Sequence, residues 1–181
     1  MLKLYYSKGT SAVAAHILLH EVGAPHETVE VAIPKGEHLT PEALQRNPQG
    51  RVPVLETPEG VLTENPAILE YIAATHPAAA LVPEGAFAQA KARSLAAYLC
   101  ATAHIAFAHK QRGLRWAETD ASIRDMQALV PKNLADCAAL LENDLALGPW
   151  ALGDRYTFCD PYLLLMGRWL SAVDVPIGNY P

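Results

Sequence analysis

The sequence has few cysteines, few charges and no long apolar run, and each shortage excludes a class of protein. Its three cysteines, Cys100, Cys137 and Cys159, are widely spaced and form no C-x-x-C pair. This spacing argues against a disulfide scaffold or a cysteine zinc site and is typical of reduced thiols in a cytosol. Apolar stretches such as residues 162–166 are much too short to span a bilayer. The N-terminus also lacks the pattern of a secretory signal, so we expect a cytoplasmic protein without a membrane partner.

The charge composition argues against a second class of protein, those that bind nucleic acid. Only 18% of the residues are charged, the formal net charge is −5, and lysine and arginine form no cluster. A protein that binds nucleic acid through phosphates needs a basic surface, so no nucleic-acid partner is expected. About half of the sequence is hydrophobic, which is typical of an ordinary globular protein.

Two regions of the chain differ in pattern, and we predict a domain over residues 1–77, a linker over 78–85 and a helical domain over 86–181. The first region alternates strand-like and helical segments, whereas the second is rich in alanine, with apolar residues three and four positions apart. The predicted strands are residues 2–6, 27–31, 52–56 and 61–63, with a turn at 57–60. The predicted helices are residues 12–22, 41–46, 66–74, 86–113, 122–147 and 158–173. Strands joined by the first helix should pair in parallel, and the last two strands should form an antiparallel hairpin.

Four segments resemble the bacterial, beta-like branch of the glutathione S-transferases. Residues 47–55 (NPQGRVPVL) are close to the family's N-P-x-G-x-V-P-x-L motif, and residues 62–72 (LTENPAILEYI) are similar to its L-x-E-S-x-A-I-x-x-Y-L motif. Residues 3–16 resemble its first strand and active-site loop, and residues 153–160 (GDRYTFCD) resemble its helix-entry box. The resemblance implies a thioredoxin-like N-terminal domain (βαβ-ββα) followed by an α-helical bundle. It also implies a homodimer, glutathione as co-substrate and no metal or prosthetic group. The family's last helix is expected to be missing here.

The resemblance also implies which residues hold glutathione. Pro53 is expected to follow a cis peptide bond, which exposes the backbone of Val52 to the cysteinyl part of glutathione. Asn65 is predicted to cap the helix that follows it, where free amides bind a carboxylate. Glu64 can pair with the ammonium group of the γ-glutamyl end. The full expected set is Thr10, Ser11, Arg51, Val52, Pro53, Glu64 and Asn65.

Activation of the glutathione thiol is assigned first to Ser11, which stands where the bacterial branch usually has a cysteine. A serine hydroxyl can donate a hydrogen bond to a thiolate. The alternative is that Ser11 only caps the first helix, with Ser7 or Thr10 as nearby substitutes. Tyr6 is the tyrosine-type alternative. His104 matches a position where the branch often has a histidine facing the active site.

The resulting hypothesis is a glutathione transferase that conjugates small apolar electrophiles. Arg112, Arg115 and Trp116 are candidates for lining the electrophile pocket. A non-catalytic glutathione-binding or regulatory protein is one alternative, and a glutathione-dependent isomerase or dehalogenase is another. His16 and His20 are four residues apart on a predicted helix, but the sequence places no third ligand beside them, so no metal site is expected.

Overall fold

The structure, a computed structural model, describes residues 1–144 and 148–180. Its strands form one mixed sheet in the order β2-β1-β3-β4. The strands are β1 (Leu2–Tyr6), β2 (His26–Glu30), β3 (Val54–Thr57) and β4 (Gly60–Thr63). Strands β1 and β2 are parallel, with Leu4 opposite Thr28, whereas β3 is antiparallel to both β1 and β4. The parallel pair and the antiparallel hairpin confirm the predicted topology.

The helices of the described residues are α1 (Val13–Glu21), α2 (Pro41–Arg46), α3 (Asn65–Thr75), α4 (Ala86–Tyr98), α5 (His104–Ala108), α6 (Asp120–Asp144) and α7 (Asp160–Ser171). Helix α1 packs against α3 and also against α7, which joins the sheet region to the helical region. Leu18, Ile72 and Tyr162 are fully buried in this shared core. A sheet with α1 and α3 followed by a helical domain confirms the expected fold class. Within the described residues, no helix has the length and apolarity needed to cross a bilayer.

The segment after α4 differs from the predicted continuous helix over residues 86–113. Helix α4 passes at Leu99–Ala103 into a π-helical turn, in which the His104 amide donates to the Leu99 carbonyl. Such turns occur often at functional sites. An alanine-rich pattern fits either helix type, and Leu99 and Ala103 at the two ends of the turn are both buried in the core. The predicted end of the next helix, at residue 147, lies outside the described residues.

Asp160, the first residue of α7, holds the entry into that helix. Its Oδ2 accepts hydrogen bonds from the Thr157 amide at 2.7 Å and the Thr157 hydroxyl at 2.9 Å. Its Oδ1 accepts from the Ala151 amide at 2.8 Å. One carboxylate therefore joins the start of α7 to the preceding loop.

We expect Asp160→Asn to lower the free energy of unfolding by about 1–2 kcal/mol, because an amide has only one acceptor oxygen and cannot accept from both Thr157 and Ala151. The measurement is urea unfolding followed by circular dichroism. The exposed Asp154→Asn is the matched control, since Asp154 accepts no hydrogen bond from the described residues. Equal stability of the two variants would contradict this role of Asp160.

Candidate functional site

A cleft of about 300 Å³ lies between the loops at one end of the sheet and the segment from the π-helical turn to Trp116. Its sheet-side wall comes from the loop before α1, the segment before β3 and the start of α3. Every residue expected to hold glutathione lines this cleft: Thr10, Ser11, Arg51, Val52, Pro53, Glu64 and Asn65. Short loops at one end of the sheet bring these residues together, although Thr10 and Asn65 lie far apart in the sequence.

Ser11 is buried in the loop before α1, yet it does not cap that helix. Helix α1 begins at Val13 with Ala12 at the N-cap, and no side chain accepts a capping bond there. Thr10 stabilises the loop instead: its hydroxyl donates to the Ser7 carbonyl at 2.7 Å and accepts from the Ala12 amide at 3.4 Å. No hydrogen bond joins the Ser11 hydroxyl to any residue that the structure describes. The interpretation of Ser11 as a helix cap is therefore wrong, and its hydroxyl remains able to bond a ligand.

The segments around Pro53 and Glu64 have unusual backbones. The Val52–Pro53 peptide bond is cis, as expected from the sequence. Glu64 has a φ of 69°, which is uncommon for a residue with a side chain, and such conformations cluster at functional sites.

Asn65 corrects a prediction, because Glu64 rather than Asn65 occupies the N-cap position of α3. Asn65 is the first residue of the helix, and its Nδ2 donates to the Ser11 carbonyl at 2.9 Å. This buried bond fixes the start of α3 beside the start of α1. Sequence reasoning missed it because the two residues are 54 positions apart.

Two buried polar atoms at the cleft have no hydrogen-bond partner among the described residues: Nδ1 of His38 and Oδ1 of Asn65. Both residues line the cleft. Buried polar atoms in native proteins are nearly always paired with protein, water or a ligand. These two atoms mark the polar part of the cleft lining.

His104 lies on the helical wall of the cleft. Its Nδ1 is 3.4 Å from the hydroxyl of Tyr162, and its ring stacks on Trp169 with centroids 5.0 Å apart. Burial, followed by the charges of Arg112 and Arg115, lowers the pKa of His104 to about 4. The imidazole is therefore neutral at physiological pH, so it can donate or accept a hydrogen bond with a ligand but carries no charge.

This pKa predicts a pH effect on stability. The pKa of an unfolded histidine is about 6.5. Between about pH 6.5 and about pH 4 the unfolded chain binds more protons than the folded chain at His104, so stability falls as the pH is lowered through that range. We expect His104→Gln to lose less stability than the wild type between pH 7 and pH 4 in urea unfolding experiments. The control His76→Gln, outside the cleft, should keep the wild-type slope, and an unchanged slope in His104→Gln would contradict the prediction.

Arg51, Arg112 and Arg115 make the cleft positive. None of the three forms an ion pair with a carboxylate of the described residues. Burial and the nearby charge of Arg51 lower the pKa of Arg112 and of Arg115, although both remain cationic. Unpaired guanidinium groups in a partly buried cleft attract carboxylates, which they bind with two parallel hydrogen bonds. Together with Trp116, which also lines the cleft, these residues fit the pocket suggested by the sequence.

The structure does not place Tyr6 in the cleft. The Tyr6 ring lies 5.5 Å from the ring of His16, and Tyr6 is not among the residues that line the cleft. Other residues that do line the cleft were missed from the sequence: Ile33, His38, Cys100 and Tyr162. They belong to no motif, and only folding brings them to the site.

Comparison with known proteins agrees with the fold described above. Residues 2–74 match the sequence profile of the glutathione S-transferase N-terminal domain. A glutathione S-transferase of Xanthomonas campestris is 31% identical over 98% of this chain and 87% of its own length. A maleylacetoacetate isomerase of Pseudomonas aeruginosa is 31% identical over 90% of this chain and 78% of its own length.

A solved structure shows the same agreement in three dimensions. The glutathione transferase homologue of Sulfitobacter, crystallised with bound glutathione, is 42% identical. It superposes with a TM-score of 0.95 over 100% of this chain and 88% of that one. All three similar proteins are bacterial, in accord with the branch suggested by the motifs. Because the similarity extends over nearly the whole chain and includes the loops that build the cleft, this protein belongs to the glutathione S-transferase family.

Proposed function

We propose that this chain is a glutathione transferase that ionises the glutathione thiol beside Ser11 and adds it to a small electrophile. The observation that carries the proposal is the Ser11 side chain, which lines the cleft and has no hydrogen-bond partner among the described residues. It precedes α1, whose N-terminal amides favour negative charge. The serine that replaces the usual cysteine thus becomes the residue that stabilises the thiolate.

Glutathione would be held by groups that match its charges. The exposed backbone of Val52 would pair with the cysteinyl amide and carbonyl. The carboxylate of Glu64 would bind the ammonium group, and the amides at the start of α3 would bind the adjacent carboxylate. Arg51 lines the same cleft and would bind the glycyl carboxylate. This arrangement leaves the thiol near the start of α1.

Thiolate formation is the chemical requirement. A free thiol has a pKa of about 8.5, so only a few per cent is ionised at neutral pH. A hydrogen bond from Ser11 and the positive charge of the cleft both favour the anion. Lowering the pKa by about one unit raises the ionised fraction nearly tenfold. Because His104 is neutral, it would act on the thiolate only as a hydrogen-bond partner.

The electrophile would occupy the helical side of the cleft. Ile105 and Trp116 supply apolar surface there, which supports the expectation of a small apolar electrophile. Arg112 and Arg115 add a preference for a negatively charged group on that electrophile. The homodimer and the cytoplasmic location stay predictions from the sequence.

A second function, glutathione-dependent cis–trans isomerisation of an unsaturated carboxylate, is favoured by the unpaired arginines. One similar protein is named a maleylacetoacetate isomerase, and its named substrate carries carboxylates. In such a reaction the thiolate adds to one alkene carbon, and the π electron pair moves into the conjugated carbonyl. Rotation about the resulting single bond follows. The pair then re-forms the double bond as the C–S bond breaks, which returns the glutathione thiolate.

Calorimetry with glutathione, followed by two turnover assays, tests these proposals. One assay follows conjugation to an aryl halide, and the other follows isomerisation of maleate to fumarate with glutathione present. Consumption of glutathione in the first assay supports the transferase, whereas isomerisation without net consumption supports the second function. Binding without turnover across a panel of neutral and anionic electrophiles would contradict both enzyme functions and leave a binding protein. No binding at millimolar glutathione would contradict all three.

A further inference from the structure

Three histidines outside the cleft converge on one side of the sheet region. His16 and His20 lie on successive turns of α1, and His26 begins β2. One ring nitrogen of each lies within 4.8 Å of the others. The sequence alone placed no third potential ligand beside His16 and His20, whereas the structure places His26 there. The return of the chain from α1 into β2 brings His26 beside them.

The spacing of the rings suits a metal ion. Nε2 of His16 and Nε2 of His20 are 3.2 Å apart. Two nitrogens bound to tetrahedral Zn²⁺ at about 2.0–2.1 Å are separated by about 3.3 Å. The rings of His20 and His26 have centroids 4.9 Å apart, so the third imidazole lies directly beside the other two.

His26 is already oriented as a ligand. Its Nδ1 is 2.7 Å from the carbonyl oxygen of Ala24, so this nitrogen carries the proton and donates it. The other nitrogen, Nε2, therefore keeps its lone pair. Metal-binding histidines typically have this arrangement, in which a backbone carbonyl holds one ring nitrogen and the metal takes the other.

Within the cluster, Nε2 of His16 and Nε2 of His20 are also close enough to form a hydrogen bond with each other, and a bound ion would replace that bond. No carboxylate of residues 1–144 and 148–180 forms an ion pair with any of the three rings. Neutral imidazoles are the form that binds transition metals.

We propose that His16, His20 and His26 form a binding site for one Zn²⁺ ion, separate from the glutathione cleft and independent of the function proposed for it. The three nitrogens would occupy three tetrahedral positions, and a water molecule would take the fourth. Because the ligands come from α1 and β2, the ion would join both ends of the loop between them. Copper and nickel ions share the preference for imidazole and would compete for the site.

Titration of the metal-free full chain with ZnCl₂ tests this proposal. Calorimetry is done without glutathione, whose thiol also binds zinc. The wild type should bind one equivalent and show a higher melting temperature with the metal, since an ion bound only to the folded chain stabilises it. His20→Gln, at an exposed position, should bind Zn²⁺ at least about 100-fold more weakly. Loss of a group that only hydrogen-bonds to a metal ligand usually has a smaller effect. His16→Gln/His20→Gln should bind none at this site.

Two controls separate this site from other zinc ligands. His76→Gln removes a histidine outside the cluster and should keep wild-type affinity. Cys100→Ser removes the one partly exposed thiol of the described residues and should keep it as well. Absence of stoichiometric binding by the wild type would overturn the proposal. Unchanged affinity in His20→Gln would overturn it too, and because His20 is exposed this variant should fold even if the double variant does not.

Discussion

Replacing Ser11 with alanine is expected to lower kcat/KM for glutathione conjugation by about 10- to 100-fold. One hydrogen bond to an ionised group contributes about 1.5–3 kcal/mol, and alanine removes it from the thiolate. The pKa of bound glutathione should therefore rise by about one to two units. The thiolate absorbs in the ultraviolet, so a pH titration of the complex measures that pKa directly.

The controls for Ser11→Ala come from serines elsewhere in the chain. Ser94→Ala, on the exposed side of α4 and outside the cleft, should keep the wild-type rate. Ser11→Cys restores a polarisable group of similar size and tests whether this position still supports the chemistry of the bacterial branch. If Ser11→Ala has an unchanged rate and an unchanged thiol pKa, then Ser11 does not activate glutathione. Thr10→Ala and His104→Gln would then become the variants to examine.

Replacing Arg112 and Arg115 together with alanine is expected to raise KM for an anionic electrophile by at least about 100-fold. Each guanidinium bond to a carboxylate contributes about 1.5–3 kcal/mol, and neither arginine has a carboxylate partner among the described residues. A neutral aryl halide should be affected much less. Steady-state kinetics with both electrophiles at saturating glutathione measures the difference.

The arginine experiment needs a charge control and a test of glutathione binding. Arg124→Ala, at an exposed position of α6 outside the cleft, changes the net charge without altering the site. Arg112→Lys keeps the charge but loses the paired donors of the guanidinium, so it should restore only part of the affinity. Equal losses for the neutral and the anionic electrophile would contradict a specific carboxylate site. A large rise in KM for glutathione itself would assign the arginines to the co-substrate instead.

Much of the fold could be predicted because its signals are local. The alternation of residues 27–31 predicted β2, and Gly23 predicted the end of α1 within two residues of the observed Glu21. Thr40 caps α2 by accepting a bond from the Ala43 amide, as its position before Pro41 implies. The interrupted helix at Leu99–Ala103 was not predicted. Apolar spacing is nearly the same in α- and π-helical turns, so packing alone separates them.

The sheet-side lining of the cleft was also predictable, but the contacts of its residues were not. Motifs identified Val52, Glu64 and Asn65, and all three line the cleft. The side chain of Asn65 bonds the Ser11 carbonyl rather than capping its own helix, because α1 and α3 meet at their N-termini. A pattern within one segment cannot report a bond to a segment 54 residues away.

The sequence by itself determined the family, the order of strands and helices and the motif residues that line the cleft. These follow from contacts between neighbours in the chain and from motifs preserved in short segments. Only the tertiary structure decided three further features. The Ser11 hydroxyl does not cap α1. Arg112 and Arg115, which pair with no carboxylate of the described residues, lie together on the helical wall of the cleft. His26 lies beside the two histidines of α1. Each depends on distances between groups far apart in the chain, which are set by packing of the shared core and are invisible to local periodicity.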